Sequence, residues 1–256
     1  MSQSQAPAYQ DPQGPFRAEH IAEGSPFELC NGHPIRCMSA GGSHARTTVL
    51  GGSMLDSDPL VSGAGADVGL SPVATMLRAP DVAVGIPDQA GWVTQVPPLC
   101  VEIADVGQDE RELREKIAEY LAHGAQHVWV VRKTGMRRVE VHQPGQRMRV
   151  AHPGEVLEAP GALQNGVPVQ AWFERDEAHE VTLRNLLQRK GYASLDAVRQ
   201  RSHDEGLREG LRQAIYDLCE VLQIPLSAER RAAVESLDAE ALSALRARLK
   251  SERAFD

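Results

Sequence analysis

Pro97-Pro98-Leu99-Cys100-Val101-Glu102-Ile103-Ala104 sets one acid, Glu102, inside an otherwise apolar run bracketed by a proline pair and a polar loop. A continuous apolar run of this length reads as a central strand buried on both faces. An unpaired carboxylate in such a strand is costly, so Glu102 needs a cation, a proton or a metal ion beside it. The residues that follow predict a helix. Asp109 can cap it, Glu112 stands at capping-box spacing, Leu113, Ile117, Tyr120 and Leu121 recur at helical intervals, and Gly124 ends it. Residues 127–131 then read as a second strand, and Arg138–His142 as its return partner after a turn at 133–136.

Working outward, residues 27–29 and 35–38 flank Asn31-Gly32, a good hairpin turn. Residues 44–55 carry Val49, Leu50, Met54 and Leu55, but Gly51, Gly52 and the Thr47-Thr48 pair predict a short or broken helix. Residues 68–70 and 81–85 read as strands around a loop, and Pro80, with no N–H, suits the start of the second. The order strand, strand, helix, strand, strand predicts an α/β fold: a mixed sheet with a helix packed on it. Beyond Trp172 the pattern is helical, around residues 182–190, 195–222, 228–236 and 239–251, with Gly191 and Pro225 as breaks. Three regions follow from composition: a disordered, proline-rich leader over residues 1–24, the mixed domain over 25–175, and a helical tail over 176–256.

The 256 residues are enough for one well-buried domain plus an appendage. No apolar run approaches the ~20 residues of a membrane helix, and the polar start MSQSQAPAYQDPQGPF argues against a secretory signal, so a cytoplasmic location is the default. Cys30, Cys37, Cys100 and Cys219 are scattered without a CxxC pair and read as buried or idle thiols. Cys30, His33 and Cys37 lack a fourth zinc ligand at finger-like spacing. A net charge of −8 counts against a broad phosphate-binding surface, although local patches and bound ions set the field at a site.

Phosphodiester cleavage needs hard oxygen ligands for a divalent metal, an activated water and a cation for the charge that develops on phosphate. Asp81 at a strand start, Glu102 within a strand and Lys116 on the helix, beside its apolar stripe, supply those residue types in one stretch. The bland alternatives are a lysine that snorkels at the core edge and a simple buried salt bridge from it to Glu102. A Walker lysine loop, a dinucleotide glycine fingerprint and a GxSxG elbow are all missing from the sequence, which leaves small-molecule enzymes of those kinds without support.

Arg78-Ala79-Pro80-Asp81-Val82 and the block Pro97–Ile103, continued by Lys116, Tyr120, Gly124 and His127-Val128-Trp129-Val130-Val131, resemble the paired acidic motifs of the Uma-two family, a branch of the restriction-endonuclease-like, PD-(D/E)XK nuclease superfamily. The resemblance reaches back to Phe27-Glu28-Leu29, Asn31-Gly32 and His44, and spans roughly residues 27–144. Where the superfamily usually places a lysine two residues after the second acid, this chain has Ala104. The resemblance assigns that role to Lys116, fourteen residues after Glu102. It implies a restriction-endonuclease-like mixed sheet flanked by helices, with the helical C-terminal extension added. It also implies that Asp81 and Glu102, with the backbone carbonyl of Ile103, ligate Mg2+ or Mn2+, and that Lys116 orients or activates the attacking water and steadies the phosphate.

By the same resemblance Glu28 binds a second metal or a metal-bound water, or is a surface residue flanking the hairpin. Arg78 touches a phosphate or makes a surface salt bridge, and His44 stands near the site or is a satisfied structural histidine. The chain departs from the family at Asp105-Val106-Gly107-Gln108-Asp109, at the glycines of its first helix and at Arg132 after the aromatic strand. The implied function is a metal-dependent endonuclease acting on DNA. The alternative is a nuclease-derived binding or assembly module without turnover. In the tail, Glu205-Gly206-Leu207-Arg208-Glu209-Gly210-Leu211-Arg212 reads either as an arm for homo-oligomer or partner contact or as a solvated helix with opposite charges one turn apart.

Overall fold

A mixed sheet of six strands forms around Leu99–Ala104, all six of whose residues are buried. This computed structural model describes residues 14–107 and 109–255. In chain order the strands are β1 (Phe27–Cys30), β2 (His33–Arg36), β3 (Ala64–Gly65), β4 (Val82–Val84), β5 (Leu99–Ala104), β6 (His127–Arg132), β7 (Arg138–His142), β8 (Arg149–Ala151), β9 (Val156–Leu157) and β10 (Val167–Pro168). The helices are α1 (Gly42–Asp56), α2 (Glu110–Ala122), α3 (Arg175–Arg189), α4 (Leu195–Val221), α5 (Ala228–Ser236) and α6 (Ala239–Glu252). The main sheet runs β3-β4-β5-β6-β7-β8. Its β5–β6 pair is parallel and α2 is the crossover that a parallel pair requires; the other pairs are antiparallel.

The two-residue period of β5 sorts its side chains between two cores. Leu99, Val101 and Ile103 pack with Trp129 and Val131 of β6, Met54 and Leu55 of α1, and Ala178 and Val181 of α3. Cys100 and Ala104 face the other way, against Val128 and Val130 and the α2 stripe of Leu113, Ile117 and Tyr120. Each large side chain so buried stabilises the fold by roughly 1.5–3 kcal/mol. Glu102 falls on the α2 side by the same alternation, so the helix that seals this core also stands over the acid. Asp109 caps α2 as its sequence predicts, accepting the N–H groups of Arg111 and Glu112 at 2.8 and 3.1 Å. The β1–β2 hairpin also follows its turn residues: Asn31 and Gly32 both have positive φ, 50° and 75°, as a two-residue hairpin loop demands.

Four expectations change. α1 is one uninterrupted helix of 15 residues rather than a short or broken one. Gly51 is there because the Trp172 ring lies against it; a Cβ at Gly51 would come within 2.2 Å of that ring. Tertiary packing therefore overrides the helix penalty of glycine. Residues 68–70 form isolated bridges, Leu70 with Arg78 and with Val93, rather than a strand. The helix at the start of the expected tail, α3, packs on the mixed domain. Asn185 donates to the Met54 carbonyl, and Arg189 donates to the carbonyls of Ser57 and Asp58 just past the end of α1. Its buried face is only Ala178, Val181 and Asn185, too narrow to stand out in a charged sequence. The chain accordingly divides into compact units at Met1–Arg189 and Lys190–Asp256. Finally, the leader expectation for residues 1–13 lies outside the described residues, but residues 16–21 pack on the domain. Ala18 is buried with Leu29 and Leu77, and its carbonyl accepts the Trp92 indole N–H at 3.1 Å.

In the second unit α4, α5 and α6 close over Leu211, Ile215, Cys219, Val234, Leu242, Leu245 and Leu249. All the buried residues of α4 come from its C-terminal half. Among the described residues no helix is long and apolar enough to cross a membrane.

Candidate active site

The β4–β5 register pairs Val82 with Val101, so one step further along the antiparallel pair Asp81 stands opposite Glu102. Asp81 Oδ2 accepts the backbone N–H of Ile103 at 2.5 Å, which ties the start of one strand to the acid-bearing stretch of the other. Its Oδ1 accepts the Nε2–H of His44 at 2.8 Å. That hydrogen bond raises the imidazole above its ordinary value against the opposing pull of burial. His44 lies in the first turn of α1, and Lys133, just beyond β6, holds that turn by donating to Ser43 O and Thr47 Oγ1, both at 2.6 Å.

Lys116 and Tyr120 sit four residues apart on α2, on the face that looks back over β5. Lys116 Nζ is 3.1 Å from Glu102 Oε1 and 3.3 Å from Oε2, and Tyr120 donates its hydroxyl to Oε1 at 2.8 Å. Nζ is also 3.2 Å from Glu28 Oε1 and donates to the Ala79 carbonyl at 3.1 Å. Burial pushes the Glu102 carboxyl up to about 7. Lys116 and the tyrosine hydrogen bond oppose that rise, while Asp81 and Glu28 add to it. Burial alone would lower the Lys116 ammonium, but Glu102, Glu28 and Asp81 outweigh it and hold the group above its ordinary value. Lys116 is therefore a cation at neutral pH.

Of the three expected site residues, Lys116 and Glu102 are in direct contact, and Asp81 lies opposite Glu102 in the strand register, bonded to His44 and the Ile103 N–H. Glu28, taken from the hairpin strand β1, also joins them and is buried rather than a surface residue. Arg78 is corrected more strongly. It is fully buried, so it neither makes a surface pair nor reaches a phosphate from solvent. Its Nη1 donates to Glu28 Oε2 at 3.1 Å and its Nε to Glu119 Oε2 at 2.5 Å. Tyr120 was expected in the apolar stripe of α2 and among the residues of the resemblance, with no role at the site. A buried tyrosine hydroxyl needs a polar partner, and its place one turn beyond Lys116 was the available signal. Asp67 was missed inside a loop. Burial, then the nearby Asp81, raises its carboxyl above the usual carboxylate range, and its backbone takes the left-handed conformation with φ 53°.

The oxygens that could hold a hard cation here belong to Asp81 and Glu102, with the Ile103 carbonyl and Glu28 near them. Among the described residues no group of three or more His, Cys, Asp and Glu side chains is arranged to hold a metal ion. The Lys116 ammonium bridges Glu102 and Glu28 instead. The donor set nevertheless fits a divalent cation by its chemistry. It is all oxygen, and Asp81 and Glu28 both push the Glu102 carboxyl up, a repulsion that a further cation would relieve.

Comparison with known proteins agrees with this architecture. No curated protein matches the chain. A crystal structure of a "putative nuclease belonging to DUF820" from Anabaena variabilis superposes with a TM-score of 0.55 at 19% identity, covering 64% of this chain and 99% of that one. At that identity the likeness is one of fold. The family model Uma2, described as "Putative restriction endonuclease", matches residues 16–170, a span that takes in every described strand. The chain belongs to the Uma2 family.

Proposed function

We propose that the protein is a metal-dependent endonuclease that hydrolyses phosphodiester bonds in DNA. The observation that carries this reading is that Lys116 on α2 contacts Glu102 of β5, while Asp81, just before β4, stands opposite Glu102 in the strand register and accepts the Ile103 N–H. Asp81, Glu102 and the Ile103 carbonyl would hold Mg2+ or Mn2+, which when bound would supply Lewis-acid polarisation of the phosphate and a water of lowered pKa. Asp81 is fixed for that task by His44 and by the Ile103 N–H, so its carboxylate is oriented before substrate arrives. Lys116, charged at neutral pH, does not take a proton from water. It orients the attacking water and steadies the negative charge that grows on the phosphate. Tyr120 donates its hydroxyl to one oxygen of the second acid.

A second reading, a nuclease-derived binding module without turnover, draws on one observation: Glu102 is already satisfied by Lys116 and Tyr120. Incubating the purified chain with supercoiled and linear DNA, and with RNA, in Mg2+, Mn2+ or EDTA separates the two. Nicked or linear DNA with either metal and none in EDTA supports the endonuclease. Intact substrates throughout, together with partner or self-association unaffected by Asp81→Asn, support the module.

A further inference from the structure

Both carboxylate oxygens of Glu28 accept donors from its own fold. Its Oε2 accepts Arg78 Nη1 at 3.1 Å, and its Oε1 accepts the Ala79 backbone N–H at 3.2 Å and lies 3.2 Å from Lys116 Nζ. Arg78 is fixed in turn, fully buried and donating to Glu119, three residues after Lys116 on the same helix. Glu28, Arg78, Glu119 and Lys116 thus form a closed ring that locks hairpin strand β1, the lead-in to β4 and helix α2 together.

The ammonium of Lys116 has three protons and three acceptors: Glu28, the Ala79 carbonyl and Glu102. Glu28 and Ala79 belong to the ring and its backbone. Glu102 stands apart from the ring, opposite Asp81.

We propose that Glu28 is a positioning residue which anchors Lys116, rather than a ligand of the cation. Building on the endonuclease reading above, Glu28 and the Ala79 carbonyl keep two ammonium protons when Glu102 turns to the ion. The third N–H is then free to donate a hydrogen bond to the substrate phosphate. Arg78 is the residue that stops Glu28 from following the ion, because it holds the other carboxylate oxygen. Removal of a positioning partner of this kind costs roughly 10- to 100-fold in activity.

Two readouts other than activity test this on the full chain, with folding checked by circular dichroism. The first is calorimetric titration with Mn2+. Glu28→Gln is expected to bind Mn2+ within about twofold of wild type, whereas Asp81→Asn weakens binding at least about tenfold. A loss in Glu28→Gln as large as that in Asp81→Asn overturns the anchor. The second is acetic anhydride labelling mapped by mass spectrometry. Lys116 is expected to label roughly tenfold faster in Glu28→Gln than in wild type, with the exposed Lys190 and Lys250 unchanged. An unchanged Lys116 rate overturns it.

If wild type binds no Mn2+, the metal reading fails by itself, and the labelling result alone decides the anchor. If Glu28→Gln does not fold, a crystal structure of wild type soaked in Mn2+ decides. Glu28 still on Lys116 upholds the anchor, and Glu28 in the ion's coordination shell contradicts it.

Discussion

Lys116 Nζ lies 3.1 Å from Glu102 Oε1 and 3.2 Å from Glu28 Oε1, so one helical ammonium bridges carboxylates carried by two different strands. The bridge makes Lys116 structural and chemical at once. A buried pair that loses one partner leaves a bare charge behind, and here Glu102 would keep only the Tyr120 hydroxyl while Glu28 keeps Arg78.

Lys116→Met is therefore expected to destabilise the domain by roughly 3–5 kcal/mol, as breaking a buried ion pair does. It should also lower DNA cleavage by about 10²–10³ in kcat, the usual cost of removing a group that stabilises transition-state charge. Urea unfolding and single-turnover cleavage measure the two effects. A variant as stable and as active as wild type contradicts both roles.

The acid at the centre of the sheet gives a pH signature. Glu102 is raised from 4.5 to about 7 by burial, so between those values the folded state binds a proton that the unfolded state has lost. Stability from this group is present below about pH 4.5 and falls away as pH rises through about 7, by roughly 3 kcal/mol in all. Unfolding free energies at pH 5 and pH 8 should fall more steeply in wild type than in Glu102→Gln. Equal slopes, or a steeper fall in the variant, contradict the raised carboxyl.

Two adjacent glycines separate packing from propensity. At Gly51 a Cβ would meet the Trp172 ring at 2.2 Å, while at Gly52 it would meet nothing within 4 Å. Gly51→Ala should therefore lose about 1–3 kcal/mol through overpacking. Gly52→Ala should gain up to about 1 kcal/mol through helix propensity. Thermal melts of the two variants check the opposite signs, and a stabilising Gly51→Ala would remove the role given to Trp172.

These contrasts mark what could be read in advance. The buried strand around Glu102, the capped helix that follows and the Asn31-Gly32 turn were legible because local rules and tertiary packing agree there. Glu102 could be singled out on physical grounds, and its need for a partner is met by Lys116 and Tyr120. Arg78 could not be placed. Nothing local distinguishes an arginine at the surface from one buried among Glu28, Glu112 and Glu119, whose contacts come from 50, 34 and 41 residues away in sequence. α1 and α3 were misjudged for the same reason. Gly51 looks like a helix breaker until Trp172, 121 residues later, is laid against it.

The placement of α3 makes a prediction about truncation. Arg189 and Asn185 close off the end of α1. A chain ending at Arg189 should keep a cooperative melt, and one ending at Arg175 should lose it, because the buried residues Ala178 and Val181 and those hydrogen bonds are removed together. Circular dichroism melts of the two truncations check this, and equal cooperativity would return α3 to the tail.

Cleavage of supercoiled DNA by wild type and by Asp81→Asn, side by side in Mn2+, tests the central claim most directly. The geometry around Asp81 predicts nicking by wild type that EDTA stops and that Asp81→Asn, folded and equally stable to urea, does not perform. Nicking that continues at the wild-type rate in Asp81→Asn would contradict the assignment of this site as the nuclease centre.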